Sequence, residues 1–504
     1  MSVDHEEAAV DSTTTATTTA SRPFALLTTS FIDGTWEDGP GDSGIQLVSP
    51  VSGELLGTVA HSSRSQVERA VAAARRALDG PWRDYSPQDR ADVLRAAAEL
   101  LRANQAELGE LVLTDLGTPI SMSAANTTGA TDVLAYYAEK ALSGPRGGYI
   151  EKLPPHPATG AAPSELHRIP VGVVAAMPAV NFPIALAVWK IGGAIASGCT
   201  TVLMPSPPSA RIIVRLVELF EQLGLPPGVV NLVCGEREVG QWLTSDPGVD
   251  LVSFTGSDSV GAQILEQAAP HLTKAVLELG GKSPNIFLPG TDLEAALLLS
   301  VDKFTRNAGQ QCGAWTRMLV HESQADEVER RLIPLIEGLR VGDPRDPETV
   351  AGPVLNRAHQ VRVQKMVDAA VADGARVVAR TPDVPGDGFF IAPTVVTDLD
   401  PDAPLCQQEL FAPIATLHRY SSLDEAIAIA NNSSYGLCAN IYGDEATARR
   451  IALRIRVGTV TINGGGAKRP DAPWGGRLRS GLGTELGEDG FSEFFDTVHL
   501  QGAT

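Results

Sequence analysis

Leu251-Val252-Ser253-Phe254-Thr255-Gly256-Ser257-Asp258-Ser259-Val260-Gly261 runs an apolar strand into a Gly-x-x-x-x-Gly turn that opens a helix. Upstream, apolar runs at 171–176, 200–204 and 229–234 repeat the strand, and helical patterns at 184–197, 212–223 and 238–244 lie between them. Continuous apolar strands alternating with helices predict a parallel sheet covered on both faces. Downstream a second series follows: a strand at 285–288, a helix at 293–307, a strand at 317–320 and a helix at 325–339. Residues 64–115 read as helices, with Ser65-Gln66-Val67-Glu68 as a capping box and Val71, Ala74 and Leu78 at helical spacing. The fold class is therefore α/β, with two doubly wound sheets.

The 504 residues exceed one compact core, so two or three domains are expected. With 43% hydrophobic and 20% charged residues, the composition is that of a globular protein and excludes a fibrous or wholly disordered one. Sixty Asp and Glu against 40 Lys and Arg give a net charge of −20, which disfavours nucleic acid and anionic membrane as partners. Five cysteines without a C-x-x-C pair argue against a disulfide framework and a cysteine zinc site, and no metal is expected. A reduced, cytoplasmic location follows from that cysteine usage. Residues 1–22 are acidic and rich in Ser, Thr and Ala, unlike a secretory signal, and are expected to be a disordered tail. The stretch 169–189 is uncharged and apolar, but Pro170, Pro178, Asn181 and Pro183 suit a strand, a loop and a buried helix better than a membrane span.

Four segments carry candidate chemistry. The Gly256–Gly261 turn lets backbone approach a phosphate at a helix N-terminus, where Ser257 caps the helix or donates to a phosphate oxygen; a plain strand-to-helix turn reads the same way. Glu278-Leu279-Gly280-Gly281-Lys282 places a carboxylate at a strand end, and an apolar pocket there would raise its pKa into the range of a general base. Cys312, after Gly309-Gln310-Gln311, offers a thiol nucleophile, although a lone cysteine is usually a small apolar residue. Asn181, between Pro178 and Pro183, offers an amide donor for an oxyanion or simply a loop amide.

Taken together and in order, these segments resemble the aldehyde dehydrogenase superfamily. The resemblance runs from about Phe31 to about Thr497. It is carried by Phe254–Gly256, Glu278–Lys282, the segment ending at Cys312, and Glu409-Leu410-Phe411-Ala412-Pro413. Asn463, Trp474-Gly475-Gly476 and Ser480-Gly481 support it. It implies an aldehyde dehydrogenase-like fold. Residues 23–147 and 169–279 would form a cofactor-binding domain and 280–492 a catalytic domain, with 148–168 and 493–504 forming a small β oligomerisation arm of a homodimer or homotetramer. Cys312 would be the nucleophile and Glu278 the general base, with the Asn181 amide and the Cys312 N–H as the oxyanion hole. Gly256, Ser257 and Gly261 would lie under the pyrophosphate of NAD or NADP. Leu279 and Lys190 would lie near that cofactor, and Glu409 and Phe411 would hold its nicotinamide half. The implied reaction oxidises an aldehyde to a carboxylic acid through a cysteine thioester.

The sequence also departs from that pattern. Met204-Pro205-Ser206-Pro207 stands where relatives carry Lys-Pro-Ser-Glu, so two ribose partners are missing. Each such contact is worth roughly 1–3 kcal/mol, about tenfold or more in affinity. Loss of the glutamate makes a 2′-phosphate more tolerable, and Arg211 is the nearest downstream cation. A non-redox cysteine acyl-transfer enzyme or esterase with weakened cofactor binding is the alternative reading. Val180 replaces a tryptophan, Ala412 a glycine, and arginine the lysine within Arg477-Leu478-Arg479. Arg306 and Trp189 are candidate substrate contacts with Val180, and Arg306 could grip the distal carboxylate of a semialdehyde.

Overall fold

The computed structural model describes residues 24–27, 30–39, 44–466 and 468–502; the expectation for residues 1–22 lies outside them. Among the described residues, no helix is long and apolar enough to cross a membrane.

An eight-stranded sheet holds one half of the site. Its centre is parallel: Lys274–Glu278, Leu251–Thr255, Val173–Met177, Thr200–Leu203 and Val230–Leu232 lie side by side in that order. Gly481–Leu482 closes one edge antiparallel, and the hairpin of Ser30–Ile32 and Thr35–Glu37 closes the other. Chain order runs outward in opposite directions from Val173–Met177 and Leu251–Thr255. Their carboxyl ends therefore open a crevice, the place where doubly wound sheets bind ligands.

The apolar stretch at 169–189 divides as its prolines require. Val173–Met177 is a buried strand, and Pro183 enters the first turn of the helix Pro183–Ser197, which is buried over almost its whole surface. The capping box lies two residues earlier than the sequence pattern suggests. Ser63 Oγ accepts from the Gln66 N–H at 3.2 Å, and Gln66 Oε1 accepts from the Ser63 N–H at 2.8 Å, so Arg64–Asp79 starts before Ser65.

A seven-stranded sheet holds the other half, in the order Arg376–Arg380, Thr394–Thr397, Ile414–Tyr420, Arg317–His321, Pro284–Phe287, Cys438–Tyr442, Thr459–Ile462. All pairs are parallel except the first. Residues 279–283 join the end of Lys274–Glu278 to the start of Pro284–Phe287. The carboxyl edge of one sheet thus meets the amino edge of the other. Ile150–Leu153, Ser164–Pro170 and Phe495–Gln501 form a separate three-stranded antiparallel sheet that leaves Ile150, Ile169, Val498 and Leu500 exposed.

Candidate active site

A cavity of about 1070 Å³ occupies the meeting of the two sheets, and Asn181, Val180, Gly256, Ser257, Glu278, Leu279, Cys312, Glu409 and Phe411 all line it. Residues far apart in sequence are brought together because each ends a strand or a tight loop at this seam.

Cys312 sits on a loop with unusual backbone. Asn307, Ala308 and Gly309 have φ of 53°, 53° and 71°. The two non-glycine residues cost roughly 1–2 kcal/mol each in that conformation. The loop is held by its side chains. Thr118 Oγ1 donates to Asn307 Oδ1 at 3.2 Å, and Asn307 Nδ2 donates to the Asn181 carbonyl at 3.4 Å. The Leu355 N–H donates to Gln310 Oε1 at 3.0 Å, and Gln311 Nε2 donates to the Arg306 carbonyl at 2.9 Å. Gly309 has no alternative here, because a β-carbon would fall 2.3 Å from the Ala412 carbonyl. Gly281 is equally confined: a β-carbon there would fall 2.6 Å from the Cys312 carbonyl oxygen.

The thiol is half-buried, and burial pushes its pKa up to about 12; Lys468 draws it down, and Glu409 and Glu278 push it up. Asn181 Nδ2 donates to the Gln310 carbonyl at 3.0 Å, which fixes the amide beside the thiol loop and leaves its second N–H for another acceptor. Among the described residues, the Cys312 N–H has no acceptor. Glu278 is 3% exposed, and neither of its carboxylate oxygens has a partner. Burial, then Glu485, holds its pKa well above the usual carboxylate range, while Lys190 and Lys468 pull it down.

Lys190 stands apart from the cavity lining. Its ammonium donates to Glu485 Oε1 at 2.5 Å, Thr255 Oγ1 at 2.9 Å and Ser253 Oγ at 3.2 Å. Those contacts use all three of its donors. Lys190 is thus held in a buried ion pair, and Glu485 is the partner the sequence did not reveal. Glu485 is itself placed by reciprocal backbone hydrogen bonds with Trp474 at 2.7 and 2.8 Å.

On the cofactor side, Ser257 Oγ accepts from the Val260 N–H at 3.4 Å and caps Asp258–Ala268, whose N-terminus faces the cavity. Arg479 pairs with Asp258 at 2.7 Å in that first turn. Leu279 packs on Gly261, where a β-carbon would fall 2.8 Å from Leu279 Cδ2. Glu409 Oε1 accepts from the Gly281 N–H at 3.0 Å; burial raises its pKa to about 7, against the pull of that N–H and of Lys282. The capped helix end, the glycine-lined floor and the Glu409 carboxylate fit a dinucleotide at its pyrophosphate and nicotinamide ends. At the adenosine end the fit is poorer: Met204 and Pro207 line the cavity, and Arg211 is taken up by both carboxylate oxygens of Asp115.

Arg306 is expected from the sequence to touch the substrate. Its guanidinium pairs with Asp302 on its own helix at 2.9 Å and does not line the cavity. Trp189 is 7% exposed, and its ring centroid lies 5.1 Å from Lys468 Nζ.

A sequence profile described as the aldehyde dehydrogenase family matches residues 36–500. A betaine aldehyde dehydrogenase of Bacillus subtilis is 35% identical, the match covering 94% of this chain and 96% of that one. A geranial dehydrogenase of Castellaniella defragrans is 36% identical over 94% of this chain and 98% of its own length. Among solved structures, a betaine aldehyde dehydrogenase of Staphylococcus aureus in complex with NAD+ superposes with a TM-score of 0.90 at 34% identity, covering 94% of this chain and 95% of that one.

Proposed function

The chain belongs to the aldehyde dehydrogenase family and oxidises an aldehyde to a carboxylic acid with NAD(P)+; from that premise we propose that Cys312 is its nucleophile and Glu278 its general base. The observation that carries this assignment is the buried Glu278 carboxyl, unpaired at both oxygens, on the same cavity as Cys312.

In this reading the Cys312 thiol gives up its proton to solvent water, the thiolate sulfur adds to the aldehyde carbon, and the alkoxide forms against the spare N–H of Asn181 and the free N–H of Cys312. The dinucleotide, when bound, supplies the acceptor for the hydride leaving that carbon. A thioester on Cys312 remains. Glu278 then takes a proton from water, whose oxygen attacks the thioester and releases the acid and the thiol. The raised Glu278 pKa suits this task, because a carboxylate of ordinary pKa is a weak base at neutral pH. Ser257 and the first turn of Asp258–Ala268 would hold the pyrophosphate, Glu409 a ribose, and Phe411 the nicotinamide.

The same reading divides the chain into a cofactor-binding domain of 23–147 and 169–279 and a catalytic domain of 280–492. The strands within 148–168 and 493–504, with their exposed Ile150, Val498 and Leu500, form the contact of a homodimer or homotetramer. Five unpaired cysteines fit the reducing cytoplasm.

Two measurements test it. Cys312→Ala should lose aldehyde oxidation by at least about a thousandfold while keeping the wild-type melting temperature; retained oxidation overturns the mechanism. Calorimetry should show micromolar binding of a nicotinamide dinucleotide by the wild type. In Met204→Lys/Pro207→Glu, NAD binding should tighten about tenfold or more and NADP binding weaken. Binding of neither nucleotide by wild type would favour the cysteine acyl-transfer reading.

A further inference from the structure

Two indoles hold one ammonium beside the thiol loop. Lys468 Nζ lies 3.6 Å from the ring centroid of Trp474 and 5.1 Å from that of Trp189. Trp474 in turn lies against the residue after Cys312, since a β-carbon on Gly313 would sit 3.4 Å from its ring. Lys468 is exposed, and no carboxylate among the described residues pairs with it. A second ammonium stands nearby: Lys303 Nζ lies 5.5 Å from the Trp315 ring, and burial, Arg306 and Lys468 all disfavour its charge. Arg306, whose charge also acts on Lys303, is already paired with Asp302.

Facing aromatic rings are a recognition device for organic cations, quaternary ammonium above all. Here the chain fills that place with its own ammonium. A cationic aldehyde would meet a like charge and would have to displace it from both rings. A carboxylate would instead meet an unpaired cation at the edge of a largely apolar wall, where the attraction is screened less than in bulk water.

We propose that Lys468, held against Trp189 and Trp474, is a specificity-determining residue that selects aldehydes carrying a distal carboxylate and rejects those carrying a quaternary ammonium. The proposal rests on Cys312 being the nucleophile, because Trp474, against which the ammonium lies, packs on Gly313 beside that cysteine. The charge of Lys468 also reaches both Cys312 and Glu278, which places it within electrostatic range of the chemistry.

The test compares kcat/KM of succinate semialdehyde, butanal and betaine aldehyde for wild type, Lys468→Gln and Lys468→Arg. Wild type should prefer succinate semialdehyde over butanal by about tenfold or more and use betaine aldehyde worst. In Lys468→Gln that preference should collapse about tenfold, chiefly through KM, and betaine aldehyde should gain on butanal by a similar factor. Lys468→Arg should keep the wild-type order. A ratio of succinate semialdehyde to butanal unmoved by Lys468→Gln, or a wild type that prefers betaine aldehyde, overturns the proposal and leaves the dehydrogenase standing. A wild type that oxidises none of the three with either nucleotide overturns the dehydrogenase reading and this proposal with it.

Discussion

At the scale of single residues, the resting site holds a thiol proton that its chemistry must remove. Burial pushes the Cys312 thiol pKa up to about 12 and, with Glu485, holds the Glu278 pKa well above the usual carboxylate range. The Cys312 thiol is thus uncharged at neutral pH until something changes its surroundings. Iodoacetamide should therefore alkylate Cys312 in the nucleotide-free enzyme at least about a hundredfold more slowly than free cysteine at pH 7.5, with the rate still climbing at pH 10, because thiolate sets that rate. Mass spectrometry of the Cys312 peptide against time checks this, and fast labelling at pH 7.5 would show a thiol already ionised. The residue types were legible in the sequence: Cys312, Glu278 and Asn181 stood out, and the cavity gathers them. The charges around them were not. Arg306 lies close to Cys312 in sequence yet turns to Asp302, while Lys468 and Glu485, far along the chain, reach the site only through tertiary folding.

At the scale of elements, the loops set the geometry and the strands set where the loops begin. Leu251–Thr255 was readable to the residue because all five of its positions are buried and the turn that follows is rich in small polar residues. The hairpin of Ser30–Ile32 and Thr35–Glu37 was not, because three residues carry no periodicity to read. The shifted capping box has a similar cause. Ser63 and Ser65 both head an acceptable pattern, and Gln66, buried at 4% exposure, decides in favour of Ser63. The thiol loop gives the sharpest test at this scale. Gly309→Ala would force a β-carbon into the Ala412 backbone at positive φ. It should cost at least about 2 kcal/mol of stability. It should also lower kcat more than it raises KM, since the loop it displaces carries the nucleophile. Denaturant melts alongside steady-state kinetics separate the two effects.

At the scale of the whole molecule, the second sheet carries buried cations and imidazoles that make its stability depend on pH. His418, 5% exposed, has its pKa lowered to about 4 by burial, then by Arg317 and Lys282. In the unfolded chain it would titrate near 6.5. The folded state thus binds the proton more weakly. The contribution is complete above about pH 6.5 and is lost as pH falls towards 4, at most about 3 kcal/mol. Melting temperature should fall over that window, and His418→Leu should flatten the fall; an unchanged profile in the variant would assign the loss to other groups.

The thiol loop has a consequence in time as well as in space. Its floor is the seam between two separately cored sheets: Gly281 lies close against the Cys312 carbonyl, Gly309 against the Ala412 carbonyl, and Trp474 packs against both cores. The seam closes only when Asn181, Cys312, Glu409 and Glu485 are all present, and the eight-stranded sheet itself waits for its edge strand Gly481–Leu482. The reactive centre is accordingly the last part of the molecule to mature. On heating, activity should be lost at or below the temperature at which the far-ultraviolet circular dichroism of the sheets falls, and activity that outlasts that signal would show the seam to be the firmer part.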